Sequence, residues 1–250
     1  MCYNDYSEVM LMVGIGTLIN TGCVILGGIL GMFFGKFLSE RFQKIIKDAV
    51  GLSVLFIGAG GAVAGMLKQT ESGFTTQGTY MIIGSLCIGA LIGELINLDK
   101  YTEKFGDFLK RKFRSEKDPL FTEGFVNTTL TICIGAMGIV GSITDGLTGD
   151  FSILLTKGIL DLIIVFVFAA TYGKGCVFSC IPIFVIQGAI TFAAKLVSPL
   201  FSDAAINNIS LIGSMLIFCI GVNYMFDKKI KVANMVPSLV VAVIWALVAG

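Results

Sequence analysis

Lys157 and Asp161 are the only charged residues between Phe151 and Tyr172, in the run FSILLTKGILDLIIVFVFAATY. Four residues apart on a helix, they share one face. Asp161 stands about ten residues into the run, roughly 15 Å deep at 1.5 Å per residue. A charge at that depth in lipid costs about 2.5–3.5 kcal/mol on insertion scales, and such residues face a cavity or a partner. Two chemistries fit: a site that binds or relays ions, or a structural ion pair fixing this helix to its neighbours. Apolar residues of similar volume could fill the structural role, which favours the first.

Neutral polar residues interrupt other apolar runs. Asn20 lies in the first and Gln187 near the middle of the sixth, while Asn127-Thr128-Thr129 and Thr131 open the fourth. Interhelical hydrogen bonding is the ordinary use of such groups. Asn20 and Gln187 also hold loosely equivalent places in the two halves of the chain, as expected of residues lining a shared site. Asp145 and Asp150 lie in TDGLTGD, which contains no basic residue. Asp145-Gly146 reads as a turn that breaks the preceding helix, and Asp150 or Ser152 as a cap for the next one. The same two carboxylates could form an acidic vestibule drawing cations toward Lys157 and Asp161.

Other chemistries lack their residues. Without a single histidine, Ser-His-Asp triads and histidine metal sites are absent. Seven cysteines are present. Cys176 and Cys180 share a helix face, but no second ligand pair accompanies them, so neither a metal nor a cofactor is expected. No phosphate loop or nucleophile–base pair is visible, which argues against an enzyme. A net charge of +1 gives no basic face for nucleic acid.

Something must hold these polar groups, and the composition says what. Hydrophobic residues make up 55% of the 250 and charged residues 14%, where a soluble domain carries about a quarter charged. Eight apolar segments, 12–35, 49–67, 79–97, 123–143, 152–172, 177–197, 206–226 and 233–249, each approach the ~20 residues that cross a bilayer. Backbone groups in lipid must pair internally, so these segments are helices. The expected fold is an all-α polytopic membrane protein of about eight spans, one transmembrane domain over 1–250. Within it, 1–97 forms a first half, 98–122 an amphipathic linker, 123–172 a central pair of spans and 173–250 a second half. The N-terminal MCYNDYSEV has no basic residue, unlike a signal peptide, so the first span is expected to be retained.

With both termini outside, the inner loops collect fifteen of the 18 basic residues, all but Lys68, Lys157 and Lys195, as the positive-inside rule requires. Linkers 37–49 and 98–113 carry apolar residues at helical spacing among these charges and are expected to lie on the membrane surface. FLSERFQKIIKDAVGLSVLFIG (37–58) aligns without a gap to LFSDAAINNISLIGSMLIFCIG (200–221), sharing Ser39/Ser202, Ile46/Ile209, Ile57/Ile220 and Gly58/Gly221. A true repeat would relate spans 1–3 to spans 6–8 in inverted orientation, an architecture of secondary transporters. Gly27, Gly31 and Gly35 form a stripe for close helix approach, inside one subunit or between copies in a homo-oligomer.

Four strings together carry a resemblance: IGTLINTGCVILGGILG, ALIGELINLDKYTEKFGDFLKRKF, FTEGFVNTTLTICIGAMGIVGSITDGLTGDFSILLTKGILD and VANMVPSLVVA. Over nearly its whole length the chain resembles the bacterial YqgA/YdfK family of multi-span inner-membrane proteins. The resemblance implies a bacterial cytoplasmic-membrane location and points toward transport, and it carries over no functional residue. The leading expectation is transport of a small solute or ion through a polar site of Asn20, Lys157, Asp161 and Gln187. A channel with a glycine-rich pore is a second reading. A membrane scaffold or sensor acting through the basic inner loop is a third.

Overall fold

A computed structural model describes residues 13–37, 39–70, 73–226 and 230–249. The acidic N-terminal stretch, Lys228 and Lys229 lie outside the described residues. The described chain is almost wholly helical: α1 (Ile15–Gly35), α2 (Glu40–Met66), α3 (Thr79–Ile96), α4 (Leu98–Lys112), α5 (Phe121–Cys133), α6 (Ala136–Thr148), α7 (Ser152–Tyr172), α8 (Cys180–Phe192), α9 (Asp203–Phe226) and α10 (Pro237–Ala249). A 3₁₀ segment, Gly173–Ser179, joins α7 to α8. The β1–β2 hairpin (Leu67–Thr70, Gly73–Thr76) links α2 to α3.

Among the described residues, five stretches are long and apolar enough to cross a membrane: Ile15–Gly35, Lys44–Met66, Thr79–Ile96, Ser152–Phe192 and Asp203–Asn223. The bent pair α5/α6 would make a sixth. Ser152–Phe192 runs 41 residues, about 60 Å if straight, twice the hydrocarbon thickness. Val232–Val248 is a shorter apolar helix. Large apolar side chains such as Leu26, Ile29, Phe33, Leu91 and Val240 are exposed along these helices, as side chains facing lipid tails would be.

Three expectations change. Linker 37–49 is not a separate surface helix, since from Glu40 on it continues unbroken into α2. The fourth apolar segment is not one helix, because the chain breaks after Cys133 and turns by 62° between α5 and α6. The break expected at Thr144-Asp145-Gly146 is absent, and α6 runs through it to Thr148. A Cβ on Gly146 would overlap the Thr191 carbonyl, so this glycine lets α6 press against α8. Gly135 serves the break instead: its φ of 155° lies on the side of the map that favours glycine.

Compactness divides the chain into two units. The first takes the chain up to Gln43, Leu109–Cys133 and Met137–Pro199, and so contains α1, α5, α6, α7 and α8. Its core includes Val24, Phe121, Phe125, Leu154, Val165, Phe168 and Ile183, each almost wholly buried. Glycines bring α1 onto α7: a Cβ at Gly27, Gly31 or Gly35 would overlap the carbonyl of Leu162, Phe166 or Ala170. That stripe is therefore covered from within the chain. The last turn of α4 adds Leu109, buried with Phe121 and Phe125, while the Phe113 and Phe178 rings meet at 4.3 Å, tilted by 44°.

The second unit takes Lys44–Phe108, Ile134–Ala136 and the chain from Leu200 on. Met81, Ile82, Leu211, Ile212 and Ala242 form its core. Gly58, Gly61 and Gly221 bring α2 against α9, and Gly89 and Gly93 bring α3 against Ser238 and Asn234. Glu94 at the end of α3 accepts from Lys231 at 2.7 Å and from the Asn234 amide. That pairing holds the Lys231 ammonium above its ordinary range. On α4, Tyr101, Phe105 and Phe108 are exposed beside a last turn of Lys110, Arg111 and Lys112, the amphipathic pattern read from the sequence.

Candidate functional site

The site is built at the C-terminal end of α5, inside the first unit. A helix end leaves its last carbonyls unpaired, and in lipid such groups must find partners. The Ile132 carbonyl, one residue before the end of α5, accepts from Lys157 Nζ of α7 at 2.8 Å. The same ammonium pairs with Asp161. A cation at a helix C-terminus also meets the partial negative charge there. Lys157 thus closes the open end of α5, and Asp161 balances its charge. Both are buried, 7% and 3% exposed.

Asn20 of α1 approaches from the other side, its side chain within hydrogen-bonding reach of Asp161. Its Nδ2 donates to Gln187 Oε1 of α8 at 3.1 Å. The hydroxyls of Thr17 and Thr191 meet at 3.3 Å, one turn further along the same two helices. Small residues permit the convergence. A Cβ at Gly138 on α6 would stand 3.3 Å from Lys157 Cε and 3.5 Å from Gln187 Nε2. One at Gly158 would meet Cys23 and Asn20 at 3.2 and 3.3 Å.

Asn20, Lys157, Asp161 and Gln187, read separately from the sequence, therefore form one buried cluster. Asn20 Oδ1 and Gln187 Nε2 are buried without a hydrogen-bond partner. Lys157 and Gln187 line a cavity of about 20 Å³, together with Ile132, Cys133, Gly138 and Ile183. That volume admits about one water-sized body.

Asp145 and Asp150 do other work. Asp145 is fully buried on α6 and accepts the Gly14 N–H at 3.3 Å, with the Gly16 and Thr17 amides turned toward the same carboxylate. It caps the start of α1, where Gly14 supplies no side-chain cap of its own. Asp150 is exposed and accepts the Ser152 amide at 2.9 Å and its hydroxyl, a local turn leading into α7. Those bonds hold its carboxyl below the ordinary range. Neither aspartate is a partner of the Lys157/Asp161 pair. Two parts of the site carried no sequence signal: the Ile132 carbonyl, a backbone atom, and the break that exposes it. Among the described residues, no group of three or more His, Cys, Asp or Glu side chains is placed to hold a metal ion.

Residues 15–247 match the family described as "Protein of unknown function (DUF554)". The chain is 32% identical over 226 residues to "Uncharacterized membrane protein YdfK" of Bacillus subtilis (strain 168), covering 90% of this chain and 93% of that one. It is also 32% identical over 232 residues to "Uncharacterized protein YqgA" of Escherichia coli (strain K12), covering 91% and 94%. No solved structure matches the chain.

Proposed function

The chain belongs to the DUF554 family and is a relative of the YdfK and YqgA proteins, and on that premise we propose that it carries a small solute or ion across the bacterial cytoplasmic membrane. The observation that carries this reading is the buried cluster of Asn20, Lys157, Asp161 and Gln187 at a broken helix. Transporters place their sites at discontinuous helices near the midplane, where freed backbone groups and charged side chains meet. Helices of the first unit bring all four residues together from three segments far apart in sequence. The glycine stripe of α1 packs on α7 rather than lining a pore, which favours a carrier over a channel.

An inverted repeat fits this reading. The alignment of 37–58 with 200–221 makes Gly58 the counterpart of Gly221 and Leu55 that of Phe218. A Cβ on Gly58 would overlap the Phe218 backbone, and one on Gly221 would overlap Leu55. Equivalent glycines thus occupy reciprocal contacts on one antiparallel helix pair, the pattern a two-fold relation produces. In the first unit, α1 and α8 also meet, through Asn20 and Gln187, one helical turn out of the strict register of that alignment. Each unit so draws helices from both halves of the chain.

Eight spans with both termini outside follow if Ser152–Phe192 is two spans, α5/α6 one and Val232–Val248 another. Single cysteines at 112 and 148, in a chain freed of its own cysteines, are then expected to label from opposite sides. Labelling of both from outside would discard the topology. Flux supplies the functional test: proteoliposomes holding the parent chain should accumulate at least one radiolabelled cation, amino acid or organic acid, saturably. The charge-free Lys157→Met/Asp161→Leu chain should accumulate none. Equal uptake by the two would reject this cluster as the transport site.

A further inference from the structure

Resting on that reading of the cluster, we propose that the Lys157 ammonium is a tethered stand-in for a bare monovalent cation such as Na⁺, which takes its place against Asp161 and the Ile132 carbonyl during transport. The acceptors around the ammonium are those of a cation site. Asp161 supplies a full negative charge and Ile132 a carbonyl at the negative end of α5. Half-helix C-terminal ends and unwound carbonyls coordinate small cations in transporters.

The amides add an oxygen. With Asn20 Nδ2 donating to Gln187 Oε1, the oxygen of Asn20 is left without a donor, although Asn20 is fully buried. Turned the other way, with Gln187 Nε2 donating to Asn20 Oδ1, the oxygen of Gln187 is left over. Either pairing leaves one buried amide oxygen outside the Asn20–Gln187 hydrogen bond, and an unpaired buried acceptor is costly. A cation held by Asp161 would draw on that oxygen.

Charge and size select the ion. The pair is neutral, so exchange of the ammonium for one positive charge keeps the pocket neutral, and a divalent ion would not. The adjoining cavity of about 20 Å³ holds one water-sized body, enough for a dehydrated alkali ion and too small for an organic cation. Among the described residues, the titratable groups that interact with the pair from neighbouring helices are the thiols of Cys23 on α1 and Cys133 on α5, and neither brings a second fixed charge.

The test uses the purified full-length chain in lipid nanodiscs, with choline chloride replaced by NaCl, LiCl or KCl at constant ionic strength. Thermal stability is expected to rise saturably with Na⁺ and not with choline. Lys157→Met removes the rival ammonium, so its midpoint should fall by about tenfold or more. Lys157→Met/Asp161→Asn, with both charges gone, should show no response. In the unaltered chain, Na⁺ should raise modification of Lys157 by an amine reagent, read by mass spectrometry, so the result does not depend on any variant folding. No alkali-ion response beyond that to choline, or no rise in Lys157 modification, overturns the proposal. Loss of the response in a folded Lys157→Met chain overturns it too, because the ammonium would then be a helper and not a rival. Asp161-dependent uptake of another solute without a cation response rejects the cation and keeps the transport reading. A cation response without flux does the reverse.

Discussion

Asp161→Leu alone is expected to lose about 3–5 kcal/mol of stability, because it leaves the Lys157 ammonium buried with only a carbonyl to meet it. The companion chain Lys157→Met/Asp161→Leu should return to within about 1 kcal/mol of the parent, since apolar residues of similar volume commonly replace a buried pair without loss. Both residues are almost fully buried, so removing one charge leaves the other without water to solvate it. Urea or thermal unfolding in one detergent, followed across the double-mutant cycle, gives the coupling directly. If the single and double variants lose the same stability, the pair is not coupled, and the deficit belongs to the packing around Asp161.

Gly31→Ala is expected to cost about 1–3 kcal/mol, as overpacking of a fitted interface does. The added methyl would overlap the Phe166 carbonyl and come within 2.9 Å of the Ala169 Cβ. Backbone cannot step aside as a flexible side chain can, so α1 and α7 must separate. Gly22→Ala on the same helix meets nothing within 4 Å. There alanine's better helix propensity should leave stability unchanged or raise it by up to about 1 kcal/mol. The two substitutions add the same atom to the same helix, so the difference between their melting temperatures isolates the helix contact. Equal shifts would mean that α1 and α7 do not depend on that close approach.

Much of the helix layout was legible in the sequence, because lipid leaves the backbone so few choices. Apolar length placed α1, α3, α7 and α9 within a few residues. Depth along an apolar run singled out Lys157 and Asp161, and loosely equivalent places in the two halves marked Asn20 and Gln187, though not their contact. The α5/α6 break was not legible, for a physical reason. Cys133-Ile134-Gly135-Ala136-Met137 bends, while the near-identical Cys87-Ile88-Gly89-Ala90-Leu91 runs straight through α3. Glycine permits both conformations, and the choice is made by tertiary neighbours such as Lys157, whose ammonium satisfies the carbonyl that the break sets free. Asp145 was misread for a related reason. Asp-Gly is a turn signal locally, but the amides that Asp145 accepts begin 131 residues away at Gly14, and nothing short of the fold brings them near.

The spacing of the central ion pair also bears on how this chain enters a membrane. Lys157 and Asp161 are four apart on one helix, so they can neutralise each other within α7 alone, before any neighbour is in place. Two separated charges would each carry the insertion penalty, whereas a pair formed inside the nascent segment enters the bilayer as a single internal dipole. The Ile132 carbonyl belongs to an earlier stretch of the chain and is already made when α7 emerges. Biogenesis can then proceed by sequential helix delivery, with the charged centre assembled first along one helix and joined afterwards by the open end of α5.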